Sequence, residues 1–73
     1  MKKYSYALYR KEGNKEIVNI INYNTYKEAK EKLESEISSR NLDLKDAQKI
    51  EDDNDTLILI FDNLILKICS FVI

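Results

Sequence analysis

The sequence predicts an α+β domain: a single helix packed on an antiparallel sheet of four to five strands, in the order ββ-α-β(β)β. Three observations predict it. The first twenty-odd residues alternate with a period of two and are rich in Tyr and Ile. One segment, and only one, carries a helical stripe behind a capping signal. The last seventeen residues read as an apolar hairpin broken by Asp62-Asn63.

The elements follow in chain order. From Tyr4 to Lys11, Tyr4, Tyr6, Leu8 and Arg10 point one way, while Ser5, Ala7, Tyr9 and Lys11 point the other. That alternation, together with the tyrosines, argues for a strand. Gly13-Asn14 suits a two-residue hairpin loop, because Gly accepts positive φ. Glu16 to Tyr23 then returns as a β-branched run. With this loop Tyr9 lies opposite Val18, Ala7 opposite Ile20, Tyr6 opposite Ile21, and Lys11 opposite Glu16. The last is an opposite-charge pair of the kind ladders favour.

Thr25-Tyr26-Lys27-Glu28 is a capping box. Its hydroxyl can accept from the Glu28 N–H, and its carboxylate can reach back to the Thr25 N–H. The helix it opens runs to about Arg40 and buries a narrow stripe of Tyr26, Ala29, Leu33 and Ile37. The other face is charged, as expected of a helix with one face on a sheet and the rest in water. The stretch from Asn41 to Ile50 reads either as a short capped helix over residues 43–48 or as a strand at Gln48–Glu51. We favour the strand, turning through Asp53-Asn54 into Leu57–Phe61. Asp62-Asn63 then suits a tight turn, and Leu64 to Ile73 completes the sheet.

Composition limits the chemistry. The 73 residues form a single domain spanning 1–73. No His is present, so Ser-His and Cys-His nucleophilic chemistry is excluded. One Cys and no His exclude a multi-Cys or His zinc site and an intrachain disulfide. One Gly cannot supply a P-loop or a dinucleotide fingerprint. The carboxylates that lie close in sequence sit in turns or on the solvated helix face, which gives no reason for a raised pKa. Cys69, in an apolar strand, is expected as a small buried hydrophobe. No enzyme activity and no cofactor are expected.

Formal charge is −1, with twelve basic against thirteen acidic residues. That balance argues against nucleic acid as the main ligand. The N-terminus has no apolar run of the signal-peptide kind. The C-terminal stretch from Leu57 to Ile73 contains Asp62, Asn63 and Lys67 and is shorter than the roughly 18–20 apolar residues a spanning helix needs. No membrane span is expected, and a lone Cys favours a cytoplasmic setting. Ten Ile, ten Lys and seven Asn reflect an AT-rich coding bias rather than function.

Three groups of residues are candidates for binding. Glu51, Asp52, Asp53 and Asp55 form an acidic run that could meet an Arg-rich protein surface, mimic phosphates or hold a hard cation. The alternative is a solvated turn beside an apolar hairpin. Ile58, Ile60, Ile65, Phe71 and Ile73 lie on the opposite side of the last hairpin from Leu57, Leu59, Phe61, Leu64, Leu66 and Ile68. One helix covers one sheet face, so the second face calls for a second copy, a dimer being simplest, or for another protein. Sheet curvature, the chain ends and the 41–50 segment are the alternative cover. Finally Lys2, Lys3, Tyr4, Tyr6, Tyr9, Arg10 and Lys11 mix cations and rings as single-stranded nucleic-acid binders do, although tyrosine is also an ordinary strand former.

The function expected on these grounds is a non-catalytic protein-binding module, acting as a homo-oligomer. In size and composition alone, and in no specific residue, the chain resembles small accessory proteins of bacteriophages and mobile elements. Many of those inhibit host defence systems, CRISPR effectors included, by steric block or acidic mimicry. That resemblance implies an inhibitor of a host macromolecule. A single-stranded nucleic-acid-binding or regulatory domain is the second expectation, and an oligomeric sponge for a nucleotide the third.

Overall fold

The computed structural model describes residues 1–53 and 55–73, without the side chains of residues 51–53. One helix, α1 (Tyr26–Ser39), packs on a five-stranded antiparallel sheet. The strands are β1 (Lys2–Glu12), β2 (Lys15–Tyr23), β3 (Gln48–Asp53), β4 (Thr56–Ile60) and β5 (Leu64–Val72), ordered β2-β1-β5-β4-β3 across the sheet. The expected architecture is therefore present, with the bracketed strand real.

The first hairpin keeps the register read from its loop. Tyr9 pairs with Val18, Ala7 with Ile20, Tyr6 with Ile21 and Lys11 with Glu16. Gly13 takes φ 60°, the left-handed value a tight loop between right-twisted strands demands. The strand is longer than its alternation suggested, because Lys2 and Lys3 pair with Val72 and Phe71 of β5.

At the start of α1 the Thr25 hydroxyl accepts from the Glu28 N–H at 3.2 Å, closing one orphan donor of the first turn. The same hydroxyl donates to Glu28 Oε1 at 3.0 Å. Such a cap contributes about 1 kcal/mol. Ala29, Leu33 and Ile37 are buried, while Tyr26 packs at the margin. The helix closes at Arg40, whose N–H donates to the Glu36 carbonyl at 3.1 Å.

The ambiguous stretch contains both candidate structures in succession. Leu44–Asp46 forms one 3-10 turn, capped by the Asp43 side chain, which accepts from the Lys45 N–H at 2.9 Å. β3 begins two residues later. The turn expected at Asp53-Asn54 needs correction at its first residue: Asp53 belongs to β3 and pairs with Thr56. Asn54 lies outside the described residues.

The core lies between α1 and the sheet. Tyr6 and Leu8 of β1, Leu57 and Leu59 of β4, Phe61, and Leu64, Leu66 and Ile68 of β5 are buried together with Ala29, Leu33 and Ile37. Leu42 and Ala47 pack against the same cluster. The 41–47 segment thus extends the helix layer and adds nothing to the opposite face of the sheet.

Candidate functional site

Side chains along a strand alternate between faces, so the register fixes what the face away from α1 carries. Two rows cross all five strands. One runs Val18, Tyr9, Ile65, Ile60, Gln48, and the other Ile20, Ala7, Lys67, Ile58, Ile50. Eight of these ten are apolar or aromatic. No element of the described chain lies over them. Val18, Ile20, Ile50, Ile65 and Tyr9 are exposed, and Ile58, Ile60 and Lys67 are half-buried among their neighbours. At the hairpin end of this face is a depression of about 380 Å³, walled by Tyr9, Val18, Ile60 and Ile65.

Lys67 stands inside this surface, between Ala7 of β1 and Ile58 of β4. Among the described residues no carboxylate pairs with it. Beside it, Cys69 is half-buried, its sulfur 3.4 Å from the Ser5 hydroxyl. The expectation of a buried core cysteine is therefore corrected: the strand's alternation turns Cys69 to the open face.

Of the residues read from the last hairpin as a second face, Ile58, Ile60, Ile65 and Phe71 lie on the open surface. Ile73 falls past the end of β5, where its N–H donates to the Met1 carbonyl at 2.9 Å. Among the residues that the sequence reading left out of this face are Val18, Ile20, Ile50 and Lys67. The signal for the first two was present in the alternation of the first hairpin, which sets them opposite Tyr9 and Ala7.

The acidic run divides. The side chains of Glu51, Asp52 and Asp53 lie outside the described residues. Asp55 turns toward its own chain: its carboxylate accepts from the Lys2 ammonium and, at 3.1 Å, from the Tyr4 hydroxyl. The Lys2 hydrogen bond, with help from Tyr4, holds the Asp55 carboxyl below its ordinary range.

The basic-aromatic strand divides as well. Lys3, Tyr9 and Lys11 share the open face. Tyr4, Tyr6 and Arg10 share the helix side, where Tyr6 is 1 % exposed and belongs to the core. Tyr4 meets Tyr26 edge-on, with ring centroids 5.9 Å apart. The rings therefore form no single platform on which successive bases could stack. Burial pushes the Tyr6 hydroxyl up to about 12, with the Glu36 carboxylate adding to the effect.

A cleft of about 700 Å³ opens at the turn end, between Arg10, Arg40, Asp43, Asp46 and Asp62. Both guanidiniums already have carboxylate partners, Arg10 in Glu12 at 3.3 Å and Arg40 in Glu36 at 3.5 Å. Three bases and four acids line it, so it has no strong preference for an anion or a cation. Among the described residues no helix is long and apolar enough to cross a membrane. No family model, no curated protein and no solved structure matches the chain.

Proposed function

We propose that this chain is a non-catalytic protein-binding module that docks through its open sheet face. The observation that carries this reading is the apolar surface spanning five strands with one cation, Lys67, set inside it. Contiguous apolar surface of this kind marks an interaction site more often than ordinary solvent-facing sheet. Lys67 defines the partner's chemistry: a protein surface with apolar side chains around a carboxylate. A second copy centred on the same patch would set Lys67 against Lys67, which opposes face-to-face self-association.

The action this supports is steric, since a broad face occludes what it covers. Acidic mimicry has less support, because Asp55 is engaged by Lys2 and Tyr4. Inhibition of a host macromolecule by a phage or mobile-element accessory protein is the specific form we propose, and size and composition are what support it.

The test is affinity capture from a host extract with three baits: the unaltered chain, Lys67→Glu and Ile65→Asp. A protein held by the first bait and lost from both variants, each with an unchanged circular dichroism spectrum, supports the reading. Equal capture by all three, or capture by none, rejects it.

A further inference from the structure

The two edges of the sheet differ. β3 is guarded: Lys49, Glu51, Asp52 and Asp53 are charged, and its register with β4 shifts between Glu51 and Asp53. Charges and irregularities of this kind are how natural sheets keep an edge from pairing with another chain. β2 lacks them. From Ile17 to Tyr23 it has no charged residue and no Pro, and it pairs without a break over nine residues.

Which backbone groups β2 offers can be read from its neighbour. The Lys11 N–H donates to the Asn63 carbonyl at 3.2 Å, on the side of β1 away from β2. Lys11 and Glu16 are therefore a non-hydrogen-bonded pair, and the ladder alternates from there. It follows that Glu16, Val18, Ile20 and Asn22 direct their N–H and C=O outward, to an edge that no described residue occupies.

The sequence of β2 is self-complementary in one register. Antiparallel pairing with a second copy, centred on Asn19, sets Val18 against Ile20 and Ile17 against Ile21. It also sets Glu16 against Asn22 and Lys15 against Tyr23. The outward groups then meet in hydrogen-bonded pairs, about eight bonds across the seam. Val18 and Ile20 are 49 % and 59 % exposed on the open face, and Ile21 is 41 % exposed on the other. Each gains an aliphatic cross-strand neighbour, the contact that stabilises sheets. No like charges face one another. The two adjacent registers that keep the same bonding parity set Glu16 against Ile20 or Val18 against Asn22, so they lose this match.

We propose that two copies of this chain pair through β2, antiparallel and centred on Asn19, so that the five-stranded sheet becomes one sheet of twice that width. The pair is closed by a twofold axis normal to the sheet, which puts both helices on one side and both open faces on the other. This inference stands apart from the docking proposal, since it concerns the edge and leaves the face free.

The experiment is sedimentation at micromolar concentration, joined to cysteine crosslinking in a Cys69→Ser background. The unaltered chain should sediment at twice its 8.6 kDa mass, and Ile20→Lys at the single mass with an unchanged circular dichroism spectrum. Asn19→Cys should oxidise to a covalent dimer, because Asn19 faces its own copy across the axis. Lys15→Cys should not, because its copy lies at the far end of the strand. A monomeric unaltered chain overturns the proposal. So does a dimer that survives Ile20→Lys, one that Asn19→Cys fails to trap, or one that Ile65→Asp dissolves, which would place the contact on the face. Growth into larger assemblies also overturns it.

Discussion

The hydroxyl of Tyr4 donates to the carboxylate of Asp55 at 3.1 Å, joining residues 51 positions apart. Tyr4 lies on β1 and Asp55 just before β4, so the bond spans β5, which runs between them. The Lys2 ammonium meets the same carboxylate.

Asp55 should therefore make stability depend on acid. Its folded carboxyl lies below the ordinary 3.8, so the contribution is present above that pH and disappears as pH falls through the lower folded value. Asp55→Asn should lower the melting temperature at pH 7, and the difference should shrink as pH is brought from 7 to well below 3.8. Thermal melts followed by circular dichroism across that range check this, and parallel curves would contradict it.

Tyr6 should act at the other end of the scale. Its hydroxyl ionises at about 12 in the folded chain and near 10.0 when unfolded. Stability is then complete below pH 10 and declines as pH rises from 10 toward 12. Among the described residues the hydroxyl has no hydrogen-bond partner of ordinary geometry. Tyr6→Phe should therefore change stability at pH 7 by no more than about 1 kcal/mol. Urea titrations at pH 7 and pH 11 should show the variant losing less between the two than the unaltered chain.

The two sheet faces should answer substitution differently at adjacent positions. Leu66 is fully buried under α1, and Leu66→Ala should cost about 2–5 kcal/mol, enough to unfold much of so small a domain. Ile65, its neighbour, faces outward, and Ile65→Thr should cost well under that, about 0.5 kcal/mol. Denaturant midpoints measure both.

Gly13 isolates a purely backbone effect. A Cβ added there meets no atom of the described residues within 4 Å, yet φ is +60°. Gly13→Ala should cost about 1 kcal/mol, and Gly13→Asn less, since Asn tolerates this region better. Equal losses for Asn and Val at this position would exclude the explanation.

Local patterns made much of this fold legible. The period of two and the Gly13-Asn14 loop fixed the first hairpin residue by residue, because a two-residue loop leaves one register. Thr25 and Glu28 marked the helix start for a similar reason: capping is settled within one turn. The 41–50 stretch was ambiguous because a 3-10 turn and a strand share it, each too short for its period to show. What local pattern cannot carry is the pairing of β1 with β5, or the approach of Lys2 and Tyr4 to Asp55. Those depend on contacts between distant segments. The open face was half legible: the last hairpin showed its surplus apolar residues, but Val18 and Ile20 join that surface only once β1 sits beside β5.

That same adjacency constrains how the chain folds. The middle of the sheet joins β1 to β5, from Lys2 with Val72 to Arg10 with Leu64, so this ladder pairs residues 54 to 70 positions apart. The first hairpin closes through a two-residue loop, whereas β1 and β5 must bring distant segments together before any contact repays the lost chain entropy. Until they meet, β1 presents an unpaired inner edge as well as its apolar side chains. The closing of that one ladder, rather than the hairpin or the helix, sets the pace of folding.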